Sequence, residues 1–380
     1  MGPENKETNT QYLDLSAAMN IIHVVEPFAS GVATFVKSLV ENLQDDLHII
    51  IHGERENVMR SAEVKQYFPA ANTRFIRWPS AQRSLSVRKD TAAFWELYTI
   101  LRQLKQQDKI DAVHLHSSKS GFLGRLACRL ASIRTVVYTP NGAPFLAGQS
   151  RLMQFLYGQL EKFASFFGGK TVCCSNSEWE AYHAIGIDAA CINNGVTLEE
   201  PAKPETKAPP AAQTARFRII TSGRIADQKD PASFNAIAKY FEEFNDFEFV
   251  WVGDGEQRHL LTAKNISITG WLTPAETSEY VAGADIYLST SYFEGLPFAV
   301  LEALALKKPV LLSDCIGNRD IVSGLNGDLF NDGEEAILKI LRYYNNRDML
   351  SIMGEYSRQV CAEQFDVHTT FNSYRKLYKA

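Results

Sequence analysis

Two carboxylates bracket the stretch SYFEGLPFAVLE (residues 291–302): Glu294 stands before a Gly-Leu-Pro turn, and Glu302 closes the apolar run that follows. The preceding ADIYLSTS reads as the end of a strand, so Glu294 is expected in the loop at its carboxyl end. Pro297 suits the first turn of a helix. That helix begins with the bare N–H groups of Leu296, Phe298 and Ala299, good donors to sugar hydroxyls or phosphate. Glu302 then lies roughly 7–8 Å along the helix from Pro297. Two carboxylates at one nucleotide-sized site can grip two separate polyol groups. A buried glutamate without a partner is costly, so each should meet a hydroxyl. The plainer reading is surface salt bridging.

Two cations have a matching position. SGR (222–224) follows an apolar strand, and Lys229 comes five residues after Arg224. A guanidinium and an ammonium at the mouth of a sheet suit a diphosphate; otherwise they are surface charges. Gly31, in PFASGVATF, opens a helix whose N-terminus favours an anion. VGDGEQR (252–258) imitates a dinucleotide fingerprint, but Arg258 occupies the place of its third glycine.

The elements that position these residues alternate. Apolar runs at 21–25, 47–53, 109–116, 135–139 and 170–174 are separated by helical patterns. The alternation restarts at RFRIITSGR (216–224) and continues through FEFVWVGDG, NISITGWL, ADIYLSTS and KPVLLSD. Continuous apolar strands between helices mean β-α-β units and parallel sheets buried on both faces. Between the halves, residues 197–215 carry four prolines and no apolar period, which predicts a linker. The expected organisation is a disordered leader or vector-derived remnant over 1–18, a first Rossmann-like domain over 19–196, the linker 197–215, and a second domain over 216–361. A last helix at about 362–380 completes the chain.

Bulk composition narrows the class. A chain of 380 residues exceeds one ordinary core. No apolar run is long enough to span a bilayer, and no signal peptide is evident. The six cysteines form no C-x-x-C pair, so zinc and redox readings are weak and a reducing cytoplasm fits. The net charge of −5 argues against nucleic acid as a partner. Residues 74–109 nevertheless carry eight basic and three acidic residues among Trp78, Phe94, Trp95 and Tyr98. That is a solvated helix face or a surface for anionic lipid. Phe155, Phe163, Phe166 and Phe167, at helical spacing, read first as core and second as a membrane-facing stripe.

Taken as a set, SGRIADQKD, VGDG, ITGWL, ADIYLSTSYFEGLPFAVLEALALKKPVLLSD and GNRDIV with NGDLF resemble the retaining family 4 glycosyltransferases of the GT-B fold. HLHSSKSGFLGRLA and YTPNGAPF are similar to the first-domain signatures of bacterial capsule and exopolysaccharide members. The resemblance covers roughly residues 19–380. It implies two doubly wound Rossmann-like domains facing a cleft, with the last helix crossing back to the first domain.

The resemblance also implies roles. Arg224 and Lys229 would hold the diphosphate of a nucleotide sugar and stabilise it as leaving group, approached by Gly31. Glu294 would contact the donor sugar, with Gly295, Leu296, Pro297 and Phe298 around it. Glu302 would bind the ribose, Trp271 and Leu272 would lie near the base, and His116 would line the cleft. Asn141 stands where members often carry a histidine; it can hydrogen-bond but cannot carry a proton. Ser30 precedes Gly31 where many members have a second glycine.

The expected activity is retaining transfer of a sugar, UDP-activated before GDP-activated, to a saccharide acceptor. That acceptor would be polyprenyl-diphosphate-linked, at the inner face of the cytoplasmic membrane, in surface polysaccharide synthesis. No Asp-x-Asp triplet occurs, so no metal or other cofactor is expected. An epimerase or phosphorylase on a related fold would use the same anion-binding parts, and a non-catalytic sugar-nucleotide-binding partner is the third reading.

Overall fold

A computed structural model describes residues 18–26, 28, 30–53, 61–82, 86–146, 150–198 and 216–380. Nearly all of the expected leader and linker lies outside these residues.

The chain forms two wholly parallel sheets. The first comprises β1 (Asn20–Val25), β2 (Leu47–His52), β3 (Thr73–Arg77), β4 (Ala112–His116), β5 (Val136–Thr139), β6 (Lys170–Cys173) and β7 (Ala189–Cys191), ordered 3-2-1-4-5-6-7. The second comprises β8 (Phe217–Ser222), β9 (Phe247–Val252), β10 (Ile266–Ile268), β11 (Ile286–Ser289), β12 (Val310–Ser313) and β13 (Gly327–Phe330), ordered 10-9-8-11-12-13. Each order reverses once, between β1 and β4 and between β8 and β11. Ligands of open α/β sheets bind at such switch points, beyond the carboxyl ends of the strands.

Helices α1 (Ser30–Asn42), α2 (Ser61–Lys65), α3 (Val87–Gln107), α4 (Ser117–Leu130), α5 (Arg151–Ser165) and α6 (Asn176–Ala184) belong to the first domain. Helices α7 (Pro231–Tyr240), α8 (Pro274–Ala282), α9 (Phe298–Ala305), α10 (Gly333–Asn345) and α11 (Arg347–Gln364) belong to the second. Their starts are written locally. Asp230 caps α7 ahead of Pro231, Thr273 and Glu276 form a reciprocal capping box on α8, and Asp332 caps α10.

Helix α12 (Val367–Lys379) returns to the first domain, where Val367, Phe371, Tyr374 and Tyr378 pack with Phe35, Val36 and Leu39 of α1. The crossing is pinned by Val196 N–H donating to the Phe365 carbonyl at 2.9 Å.

Helix α5 departs from the core expected for its phenylalanines. Phe155, Phe163 and Phe166 are 61%, 53% and 77% exposed, while Gly158, Glu161 and Ala164 are buried. The reason lies beneath the helix. Arg125 is fully buried, stacked on the Tyr138 ring, and it draws Glu161 inward to 4.0 Å while Tyr138 donates to Glu161 at 3.0 Å. With the acid turned in, the apolar residues turn out. Phe167 is half-buried. Along α3, Arg88 and Lys89 are exposed, and Trp78 is buried with its indole N–H donating to the Ala93 carbonyl. No helix among the described residues is long and apolar enough to cross a membrane.

Candidate active site

A cavity of about 460 Å³ opens between the two sheets, within the size range of small-molecule sites. Its second-domain wall is built at the ends of β8, β9 and β11. Strand β8 delivers Ser222, Gly223 and Arg224, and a short helical turn (Asp227–Lys229) brings Lys229 back to the same mouth. The loop after β11 carries Glu294 and Gly295, and α9 follows with Pro297 as its capping residue. Glu302, one turn and a half further, lines the same cavity.

Glu294 is held from three sides. Lys229 Nζ lies 2.7 Å from its Oε1, the Ser291 hydroxyl donates to the same oxygen at 2.7 Å, and Gln228 Nε2 donates to Oε2 at 3.2 Å. Burial lowers the Lys229 pKa, but the surrounding charges and hydrogen bonds, led by Glu294, together outweigh it and the net shift is upward, so this ammonium is firmly charged. Thr290 fixes the turn below by donating to the Lys229 carbonyl at 2.8 Å. Glu302 is open to cleft water yet surrounded by protein. That crowding pushes its carboxyl up, to about 7, and the open water tempers the rise.

The first domain supplies the opposite wall. Gly31 sits in the first turn of α1, where an added Cβ would lie 3.9 Å from Phe298 Cδ2. The N-termini of α1 and α9 thus face each other across the cavity, and both favour negative charge. Asn141 adopts a left-handed backbone (φ 57°) and donates its amide to the Thr139 carbonyl at 3.2 Å. Asn and His are both enriched in that region, so the position admits either residue. Trp271, 46% exposed, and half-buried Leu272 complete the rim near Gly253.

The sites expected from sequence therefore converge on one cavity: Gly31, Asn141, Arg224, Lys229, Trp271, Leu272, Glu294, Gly295, Leu296, Pro297, Phe298 and Glu302 all line it. His116 does not. It is wholly buried, sharing one face of β4 with His114, and that face is covered by α1 and α12. There it joins a histidine chain. The Leu43 carbonyl can only accept, so His48 Nε2 donates to it at 3.0 Å. His48 Nδ1 then accepts from His23 Nε2 at 3.0 Å, and His23 Nδ1 accepts from His116 Nε2 at 3.2 Å. Burial lowers the pKa of all four rings of this cluster, including His114. His23, His114 and His116 have the spacing of metal ligands, but they stand under the first-domain helices rather than at the cavity.

VGDG has a packing role. Gly253 ends β9 with an added Cβ only 2.2 Å from the Gly223 carbonyl oxygen, so the glycine lets two strand ends meet.

Sequence reasoning passed over Gln228, Ser291 and Asn194. Asn194 donates its amide to the Leu296 carbonyl at 2.8 Å, which leaves its buried Oδ1 without a partner, and the residue lines the cavity. The pattern INNGV after a strand was its only local signal.

The first half, residues 29–200, matches the description "Glycosyltransferase Family 4", and residues 216–346 match "Glycosyl transferases group 1". An Escherichia coli relative named UDP-Gal:alpha-D-GlcNAc-diphosphoundecaprenol alpha-1,3-galactosyltransferase is 30% identical over 79% of this chain and 82% of its own length. The chain belongs to the family 4 glycosyltransferases. A 41.2 kDa protein of the Klebsiella pneumoniae cps region is 24% identical over 95% of this glycosyltransferase and 100% of its own length. Sucrose-phosphate synthase from Thermosynechococcus elongatus superposes with a TM-score of 0.76 at 16% identity, covering 95% of this chain and 98% of that one. Anabaena HepE, solved in complex with UDP and glucose, gives 0.72 at 15% identity, covering 94% and 98%. These likenesses establish the two-domain GT-B fold of this glycosyltransferase.

Proposed function

We propose that this glycosyltransferase moves a sugar from a UDP-sugar to a polyprenyl-diphosphate-linked saccharide, with retention of anomeric configuration and without a metal, in bacterial surface polysaccharide synthesis. One observation carries the reading: Arg224, Lys229, Glu294 and Glu302 share a single cavity between the two domains. The E. coli relative, by its name, uses a UDP-sugar and a diphosphoundecaprenol acceptor, which supports the same substrate classes here.

In this reading the diphosphate lies against Arg224 and Lys229, with the N-termini of α1 and α9 beside it. Glu302 accepts the ribose hydroxyls, and Trp271 and Leu272 flank the base. Glu294 accepts from a hydroxyl of the transferred sugar. The bond from anomeric carbon to phosphate oxygen breaks through an oxocarbenium-like state, and the two cations stabilise the charge that grows on the diphosphate. The acceptor hydroxyl attacks from the face the diphosphate leaves, and its proton passes to the departing phosphate oxygen. Two fixed cations facing the diphosphate support a reaction that needs no divalent ion.

The exposed apolar face of α5, with Arg88 and Lys89 exposed on α3, supports peripheral attachment to the inner leaflet of the cytoplasmic membrane. Arg83, also in the basic segment, lies outside the described residues.

The test is product analysis. The protein is incubated with UDP-galactose or UDP-glucose and a polyprenyl-diphosphate N-acetylhexosamine, with and without EDTA, and the new linkage is assigned by NMR. An α-linked product in both conditions is expected. A β-linked product, or EDTA-sensitive turnover, contradicts the mechanism. An altered nucleotide sugar formed without acceptor would identify an epimerase instead.

A further inference from the structure

Ser177 and Glu178 are consecutive buried residues in the first turn of α6, and they hold two different loops. The Glu178 carboxylate accepts from the backbone N–H groups of Gly142 and Cys174, each at 2.9 Å. Those residues press on the catalytic loop: a Cβ added to Gly295 would lie 2.7 Å from Cys174 Sγ and 2.8 Å from Gly142 N.

Ser177 reaches into the second domain. Its backbone N–H donates to Asp320 Oδ1 at 3.0 Å, and its hydroxyl donates to Asp320 Oδ2 while accepting from Gly317 N–H at 2.8 Å. The carboxylate only accepts and the amide only donates, so the direction of each bond is fixed. The Gly317 loop continues directly to Glu294. The Ile316 carbonyl accepts from Glu294 N–H at 3.0 Å, and a Cβ on Gly317 would fall 2.9 Å from Glu294 Cβ. Both flanks of the Glu294–Gly295 pair are thus tied to one helical turn of the other domain.

We propose that this turn is an inter-domain latch: Ser177 with Asp320, beside Glu178, holds the domains closed in the one arrangement that aligns Glu294 and Gly295 for transfer. The part about transfer rests on the reading of Glu294 as a donor-sugar contact. Ser177, Glu178 and Asp320 do not line the cavity, so they act as positioning residues. The Asp320 carboxylate meets the positive end of α6, where a negative charge is favoured. Polar pairs of this kind exchange readily for water, so the latch can open for substrate entry and product release and close again.

The test compares full-length wild type with Asp320→Asn, Ser177→Ala and the double variant. UDP affinity is measured by calorimetry, turnover with UDP-galactose and UDP-glucose, and the radius of gyration by small-angle scattering. Asp320→Asn keeps the shape of the side chain and removes its charge. Retained UDP binding reports a folded second domain, and an unchanged circular dichroism spectrum reports that the first is folded too. Expected are a UDP Kd within about two-fold of wild type, a kcat about ten-fold lower, and a more open particle. The double variant should be no worse than the worse single one, because the two residues act as a unit. A UDP affinity that falls in parallel with kcat overturns the latch. So does a scattering curve identical to wild type. An opened particle with unchanged turnover upholds the inter-domain tie and refutes the reading of Glu294 instead.

Discussion

The ammonium of Lys229 lies 2.7 Å from Glu294 Oε1, so the cation assigned to the leaving diphosphate and the carboxylate assigned to the sugar hold each other in place. The pair sets both groups before substrate arrives. It also makes each dependent on the other. Lys229→Ala leaves the Glu294 carboxylate buried with only Ser291 and Gln228 as donors. Removing one partner of a buried pair is destabilising by about 3–5 kcal/mol, and the two remaining donors put this case at the low end. Lys229→Ala is therefore expected to lower Tm as well as kcat, and Arg224→Ala to lower kcat. For either variant kcat should fall by about 100-fold or more, the scale set by loss of one electrostatic contact to a transition state. Steady-state kinetics beside thermal melts check this.

With Glu302 on the ribose as proposed, UDP binding is linked to pH. Crowding raises the Glu302 carboxyl, to about 7 in the free protein. Ribose hydroxyls donate to the ionised form, so binding lowers that pKa and requires loss of a proton below it. UDP affinity is expected to weaken as pH falls below neutrality toward the ordinary carboxylate range. UDP titrates on its own phosphate in the same range, so the comparison is with Glu302→Gln, whose pH profile should be shallower. Calorimetric titrations from pH 5.5 to 8 measure the difference.

Gly295 admits no side chain. An added Cβ would lie 2.7 Å from Cys174 Sγ and 2.8 Å from Gly142 N, and the second of these is backbone that cannot swing aside. Gly295→Ala should prop the domains apart and abolish transfer while the two separate cores stay folded. Turnover together with circular dichroism tests this; transfer at wild-type rate would show that closure at this loop is not required.

The histidine chain makes the first domain acid-sensitive. Desolvation lowers each ring below the usual 6.5, with His48 at about 4. The unfolded chain takes up protons as pH falls through about 6.5 and the folded chain refuses them. Stability is therefore intact above that pH and is lost below it, by about 1.4 kcal/mol per pH unit for each refused proton. Glu161 and Glu302, raised to about 6 and about 7, and Asp46 and Glu178, which burial also raises, run the opposite way. The histidine contribution is isolated by changing one ring. His48→Gln can keep both ring hydrogen bonds without the titration, so its stability should fall less steeply between pH 6.5 and 4.5 in denaturant melts.

The outward face of α5 should seek lipid. Phe155→Asp with Phe163→Asp places two charges on residues that are already exposed, so folding and UDP binding should persist. Co-sedimentation with vesicles containing anionic lipid is expected to fall several-fold, as lost buried apolar area dictates. Unchanged sedimentation would detach α5 from the membrane.

How far the sequence was legible follows from these residues. Strand ends were readable because apolar runs stop abruptly at Ser222 and Ser289, and the residues just beyond them are the cavity wall. The two-domain fold was readable from the same alternation. What escaped was whatever depends on the face of a strand or on distant segments meeting. His114 and His116 stand two apart on β4 and so share a face; that face looks toward Phe35 and Tyr374 rather than the cleft. The phenylalanines of α5 have core spacing, but one buried arginine decides which side turns inward. Ser177 and Asp320 are 143 residues apart, and nothing local announces that they touch.

The most direct measurement is a thermal-shift panel of UDP, GDP and ADP on wild type and Glu302→Ala, each with and without EDTA. A nucleotide that binds the folded state raises Tm by mass action. UDP is expected to raise the wild-type Tm equally in both conditions and to raise that of Glu302→Ala much less. No shift with any nucleotide, or an equal shift in the variant, would contradict the assignment of this cavity as the donor site.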